Sequence, residues 1–187
     1  MIIVLGLGNP GEKHSDNRHN VGFMVLDELA SKEGVTFEEK KIFHAETCEL
    51  GDLFLVKPKT FMNQSGTAAR LLLREYNSPL VVVYDEINVP LGEIKCSYSR
   101  GSGDHNGVQS IIDSLGHKDF FRIRIGVRPV HEELLPRIAP PDGFEKFLLS
   151  DFTPMEEEKL KEGIDKAIEI IKELPHKSFE EIMNKYN

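Results

Sequence analysis

Leu80-Val81-Val82-Val83-Tyr84, followed at once by Asp85-Glu86, is the stretch that decides how this chain is built. A continuous apolar run rich in valine suits a strand covered on both faces, as in a largely parallel sheet. A carboxylate directly behind such a strand is expensive to bury without a partner. Asp85 therefore predicts a partner brought to it from elsewhere in the chain.

Outward from this stretch the same pattern recurs three times: an apolar segment gives way to a polar island. The islands are Gly8-Asn9-Pro10-Gly11 running on to Arg18-His19-Asn20, then Phe61-Met62-Asn63, then His105-Asn106-Gly107. Ligands of open α/β sheets sit beyond the carboxyl ends of the strands, so islands that follow strands are expected to converge. Residues 2–7 read as a buried strand, and Val21, Val25 and Leu29 repeat at helical spacing up to a stop at Gly34. Residues 43–49 and 53–56 flank Leu50-Gly51-Asp52 as a hairpin. Ala68, Ala69, Leu72, Leu73 and Tyr76 mark a helix starting near Asn63. A strand over 93–98, a helix through Val108, Ile111, Ile112 and Leu115 closed by Gly116, and a strand over 120–127 follow. Residues 128–143 hold four prolines and read as a long surface loop. Thr153-Pro154-Met155-Glu156 reads as a capping box with proline at the first helical position, and Ser178-Phe179-Glu180-Glu181 as a second. The alternation predicts the α/β class: a single compact domain over residues 1–187, with a mixed, twisted β-sheet and helices on both faces.

Composition narrows the setting. A chain of 187 residues with 40% hydrophobic and 29% charged residues has the balance of one ordinary globular domain, not of a disordered or fibrous chain. No apolar stretch is long enough to cross a bilayer. The opening Met1-Ile2-Ile3-Val4-Leu5 lacks the basic start of a signal peptide, and Cys48 and Cys96 form no CxxC pair, so a cytoplasmic protein with two reduced thiols is expected. The net charge of -8 argues against a nucleic-acid partner on average. Between residues 95 and 128, however, Lys95, Arg100, Lys118, Arg122, Arg124 and Arg128 outnumber Asp104, Asp113 and Asp119, so an acidic mean hides a local basic stretch.

Gly6-Leu7-Gly8-Asn9-Pro10-Gly11 satisfies GxGxxG, the sign of a dinucleotide-binding oxidoreductase. Context rejects it. Pro10 intervenes, residues 12–18 have no helical apolar period, and no second strand ends in an acid about twenty residues on. The glycines fit a tight turn that exposes Asn9. His19 alone reads as a helix-entry residue, but Asp85 changes its meaning. A carboxylate accepting from one imidazole nitrogen fixes the tautomer and leaves the other nitrogen as a base. No GxSxG is present, which favours activated water over a covalent intermediate. His14 and His19 are spaced wrongly for one helix face and there is no HExxH, so neither metal nor cofactor is expected. Asn9, Asn63 and Asn106 occupy equivalent positions after strands or at helix starts. Turn formation accounts for Asn9 and helix capping for the other two, yet the three amides also make a set able to hold a carbonyl.

Together the segments resemble bacterial-type peptidyl-tRNA hydrolases. The resemblance rests on Gly8-Asn9-Pro10-Gly11 with Arg18-His19-Asn20-x-Gly22, Lys57-Pro58-x-Thr60-Phe61-Met62-Asn63-x-Ser65-Gly66, Asp85-Glu86 followed by Pro90-x-Gly92, His105-Asn106-Gly107, Arg122-x-Arg124-Ile125-Gly126 and Met183-Asn184, in that order. It implies a monomer that hydrolyses the ester joining a peptide to tRNA and so recycles stalled tRNA. By position, it implies His19 as the general base, Asp85 as its orienting carboxylate, and Asn9 as the contact to the peptide that rejects free-amine aminoacyl-tRNA. Asn63 and Asn106 would hold substrate backbone or the attacking water, Phe61 and Met62 would line the cleft, and Arg124 would meet tRNA phosphate. The chain departs from the family pattern at His14, where tyrosine is usual, at Asn17, at Asp104, where a second glycine is frequent, and at Ser97, where a basic residue would pair with Arg124. His14 is expected to keep a substrate contact, and Lys95, two residues before Ser97, to replace the missing cation. A non-catalytic RNA-binding relative of the same fold is the alternative; retention of both His19 and Asp85 counts against it.

Overall fold

The valine-rich run forms an inner strand of a seven-stranded sheet in the computed structural model, which describes residues 1–129 and 143–187. The strands are Ile2–Gly6 (β1), Glu38–Lys40 (β2), Ala45–Leu50 (β3), Leu53–Pro58 (β4), Leu80–Pro90 (β5), Ile94–Tyr98 (β6) and Phe121–Arg128 (β7), in the order β2-β3-β4-β1-β5-β7-β6. The inner pairs β4-β1, β1-β5 and β5-β7 are parallel, and the outer pairs are antiparallel. The helices are Val21–Glu33 (α1), Ser65–Tyr76 (α2), Asn106–Leu115 (α3), Gly143–Leu148 (α4), Glu157–Glu173 (α5) and Phe179–Tyr186 (α6).

Alternation along β5 builds both halves of the core. Val81 and Val83 join Val25, Leu29, Ala167 and Ile171 of α1 and α5. Val82 and Tyr84 face the other way, onto Ala69, Leu72, Val108 and Ile111 of α2 and α3. Asp85 has the parity of Val81 and Val83, and so leaves the sheet on the side of α1. The strands run to a topological switch: β1 lies between β4 and β5, and its following loop opens where the two directions of winding part.

Three boundaries depart from the sequence reading. β5 does not stop at Tyr84, because β7 continues beside it and pairs with Asp85 and Glu86. α3 is capped by His105, not Asn106, and Asn63 lies inside a single helical turn, Met62–Gln64, so neither asparagine caps a helix. α5 opens at Glu157, past the expected box. The Thr153 hydroxyl and amide both donate to the Glu156 carboxylate at 2.8 Å, and Arg18 engages the same oxygen, so Thr153–Glu156 closes a turn instead of a cap. The Ser178 box forms in full. Of the loop expected over 128–143, residues 130–142 lie outside the described residues.

Candidate active site

His19 sits in the single turn Arg18–Asn20 that leads into α1. That helix starts hard against the sheet. A Cβ on Gly22 would collide with the Val83 carbonyl oxygen and lie 2.5 Å from the Leu7 nitrogen, so only glycine permits the approach. The approach brings His19 to Asp85, with Nδ1 2.9 Å from Oδ1. The same oxygen lies 3.0 Å from His105 Nε2. His105 Nδ1 in turn accepts from the amides of Gly107 and Val108 at 3.1 and 3.3 Å. An accepting Nδ1 carries no proton, so the His105 proton is on Nε2 and is donated to Asp85. His19 completes the carboxylate through Nδ1–H, which leaves its Nε2 lone pair for the cleft.

Charge reinforces this arrangement. Burial pushes the Asp85 carboxyl up most strongly, but the imidazoles of His19 and His105 and their hydrogen bonds outweigh it and hold the group well below the usual carboxylate range. His105 meets the carboxylate with Nε2–H because its Nδ1 accepts from the α3 amides. Burial is likewise the largest influence on His19 and disfavours its cation; the charge of Asp85, its hydrogen bond and the Glu145 carboxylate together exceed it and raise the imidazole above its ordinary value. Behind the pair, burial pushes the Tyr84 phenol up to about 12, so its ring, edge-on to His105 at 4.8 Å, stays neutral.

Asn9 stands beside His19 with its amide oriented. Oδ1 accepts from the Met62 amide at 2.9 Å, while the Asn9 backbone is held by reciprocal bonds to Asn20. Its Nδ2 therefore points its hydrogens away from Met62, and has no partner among the described residues. A cleft of about 400 Å³ opens over these groups. Asn9, His19 and His105 border it with Phe61, Met62, Asn63, Asp104 and Asn106, and α4 supplies Phe144, Glu145 and Leu148, followed by Leu149. A larger hollow, about 650 Å³, lies near Phe43 and Tyr76; among the described residues no histidine borders it, so it offers no proton relay.

His19, Asp85 and His105 also hold their ligand atoms within 4.8 Å of one another, close enough to suggest a metal. His105 does not fit one. Its Nε2 carries the proton because Nδ1 caps α3, and freeing Nε2 as a ligand would break that cap. The trio fits proton transfer.

The signature of the peptidyl-tRNA hydrolase family matches residues 3–187. The chain belongs to that family. The peptidyl-tRNA hydrolase of Thermodesulfovibrio yellowstonii is 43% identical over 194 residues, covering 100% of this chain and 99% of the relative. That of Listeria monocytogenes is 39% identical over 195 residues, with 100% and 99% covered. A crystal structure of the peptidyl-tRNA hydrolase from Acinetobacter baumannii superposes with a TM-score of 0.85 at 27% identity, covering 100% of this chain and 94% of the other.

Not every residue that resembles the family pattern reaches the cleft. Of the expected set, Asn9, His19, Phe61, Met62, Asn63 and Asn106 border it, and Asp85 lies beneath. His14 does not border it; its Nδ1 is 3.0 Å from Asn17 Oδ1, on the outer side of the turn that carries His19. Arg124 and Lys95 lie directly opposite each other on β7 and β6, outside the cleft. Arg124 is ion-paired, whereas Lys95 is only hydrogen-bonded and keeps its charge uncompensated among the described residues. Arg124 Nη1 meets Glu86 Oε2 at 3.2 Å, and Lys95 Nζ meets the Asn187 carbonyl at 3.2 Å. Arg122 leaves the expected basic stretch altogether: it is fully buried, stacked on Phe120 and bonded to the Gly101 carbonyl at 2.8 Å. The sequence does not foretell His105 as the second partner of Asp85, nor Glu145 at the rim. The signal for His105 is its place one residue before a helix, where a side chain can cap; Glu145 carries none.

Proposed function

We propose that the chain hydrolyses the ester between peptide and tRNA by water activated at His19. The observation that carries this reading is the Nε2 of His19, held in the cleft by an Nδ1–H bond to Asp85, beside the amide of Asn9, both without a partner among the described residues. Nε2 takes a proton from water as the oxygen attacks the ester carbonyl. Asp85 steadies the imidazolium that results. The tetrahedral intermediate then collapses, the tRNA ribose oxygen leaves, and His19 returns the proton to it. The peptide departs as a free acid.

The Asn9 Nδ2–H group is a donor only, because Met62 occupies the oxygen. It suits a carbonyl of the peptide and opposes an ammonium, which also only donates. This accounts for a preference for N-blocked over free-amine aminoacyl-tRNA. Asn63 and Asn106, both exposed at the rim, are placed to hold substrate backbone or water, and Phe61 and Met62 offer apolar surface to side chains. No step calls on a metal or cofactor. Every group named comes from one chain, in keeping with a monomer, and we place the activity in the cytoplasm, where peptidyl-tRNA arises. A non-catalytic RNA-binding role leaves the relay without use.

The test is incubation with N-acetylaminoacyl-tRNA and with its free-amine counterpart. Release of the acyl group from tRNA (N-acetyl amino acid from the first substrate, free amino acid from the second), rapid for the first, slow for the second and lost in His19→Ala, is expected. Equal cleavage by the wild type and His19→Ala, or none by either, overturns the reading.

A further inference from the structure

We propose that Arg18 is a positioning residue that latches α4 over the cleft. Arg18 precedes His19 directly, yet its side chain turns away from the relay. The guanidinium lies between the rings of Phe147 and Phe152, 4.4 and 4.8 Å from their centroids. Its Nη2 is 2.7 Å from Glu156 Oε2, and its Nη1 donates to the Asp151 carbonyl at 2.8 Å. The Arg18 amide donates to the Ser150 carbonyl at 3.1 Å, and Asn17 Nδ2 to Asp151 Oδ1 at 2.7 Å. Arg18 and Glu156 are 2% and 0% exposed, so solvent does not weaken the pair.

These contacts join the turn that carries His19 to residues 147–156, which overlap the end of α4 and run on from it. α4 has six residues, too few to persist without tertiary support. Its Phe144, Glu145 and Leu148, with Leu149 just after it, nevertheless form one wall of the cleft. Phe147, buried between them, rests on Arg18. One end of the latch is thus the neighbour of the base, and the other is the wall that the substrate meets. An apolar side chain could fill the space, but planar stacking between two rings with two further directed bonds fixes the wall in one place.

The inference rests on the hydrolase reading for its kinetic test but not for its structural one. Removing Arg18 alone strands the Glu156 carboxylate, so the variants are Arg18→Met/Glu156→Gln, which removes both charges at similar volume, and Phe152→Leu, which removes one face of the stack. Amide exchange is expected to speed up at residues 144–149 while β1 and β5 stay protected. The KM for N-acetylaminoacyl-tRNA is expected to rise by about tenfold or more, as when an apolar contact is lost, with kcat little changed. The groups that face His19 are Asp85 and His105 from beneath, Asp104 across the cleft and Glu145 on α4. Release of α4 withdraws Glu145, which raises the imidazole, together with part of the burial that lowers it, so the acid limb of kcat/KM should leave its wild-type position. Unchanged exchange at 144–149 together with unchanged KM and limb, in either variant with β5 still protected, overturns the latch. Should the double variant fail to fold, Phe152→Leu decides the matter on the same readouts. A wild type that cleaves nothing removes the hydrolase reading and leaves the exchange result to decide the latch.

Discussion

At the scale of single residues, the site turns on which atom of each imidazole holds a proton. His19→Ala should lower kcat by ~10²–10⁴, the usual worth of a general base, with tRNA binding retained in a filter or gel assay. The pH dependence has a definite sign. The base must be neutral, and Asp85 and Glu145 favour its cation, so kcat/KM should rise with pH through a limb above the ordinary histidine value of 6.5. Asp85→Asn removes the anion, which should move that limb down. The same change offers His19 an amide that can bond it in the wrong tautomer, so the plateau should fall as well; a plateau at wild-type height would make Asp85 a packing residue. The His19–Asp85 pair is legible in the chain because a carboxylate behind a valine-rich strand demands a partner. The share of His105 is not. A sequence places a histidine next to a helix start but does not say that its Nδ1 caps the helix and so turns its Nε2–H on Asp85.

Elements are legible where one pattern acts alone and less so where a neighbour intervenes. α1 runs from Val21 to its stop at Gly34, which takes the left-handed conformation with φ 67°, as periodicity and glycine together imply. β5 outruns its apolar residues because β7 supplies hydrogen bonds further along, and α5 starts late where Thr153 and Arg18, the latter distant in sequence, converge on one Glu156 oxygen and close a turn. β2, three charged residues held by pairing with β3, has no apolar signal at all. The contact that matters most for function is the seating of α1 on β1 and β5. Gly22→Ala should therefore lower stability by about 1–3 kcal/mol, the cost of overpacking, seen as a reduced midpoint in denaturant. It should also cut kcat/KM, because His19 moves with the helix. Gly101→Ala is the control: a Cβ there meets nothing within 4 Å, so both measurements should stay at wild-type values.

For the whole molecule, the question is how a chain with a net charge of -8 receives a polyanion. The cleft gives no help, since among the described residues no lysine or arginine borders it while Asp104 and Glu145 do. On the proposed reading it takes ester and peptide, which puts the phosphates elsewhere. The sequence points to the stretch from Lys95 to Arg128, but folding thins that stretch: Arg122 is buried, and Arg124 is tied to Glu86. Lys95 lies across from Arg124 on the neighbouring strand, and Arg100, Lys118 and Arg128 are exposed. A phosphate that reaches Arg124 has to compete with the Glu86 carboxylate. Binding should thus depend on salt less steeply than for a strongly basic RNA protein. Two substitutions separate the contributions. Arg124→Ala should weaken tRNA binding and flatten the plot of log K against log salt by about one unit. Glu86→Gln should do the opposite, tightening binding and steepening the plot, because it frees the guanidinium and removes a repelling charge. Neither should alter kcat on a short N-acetylaminoacyl ester that lacks distant phosphates. If Glu86→Gln weakens binding instead, the ion pair holds Arg124 in its working position and phosphate does not compete with Glu86. If both variants lose activity on the short ester, Arg124 and Glu86 support the catalytic relay through β5 and β7, and the path of the tRNA lies on another face.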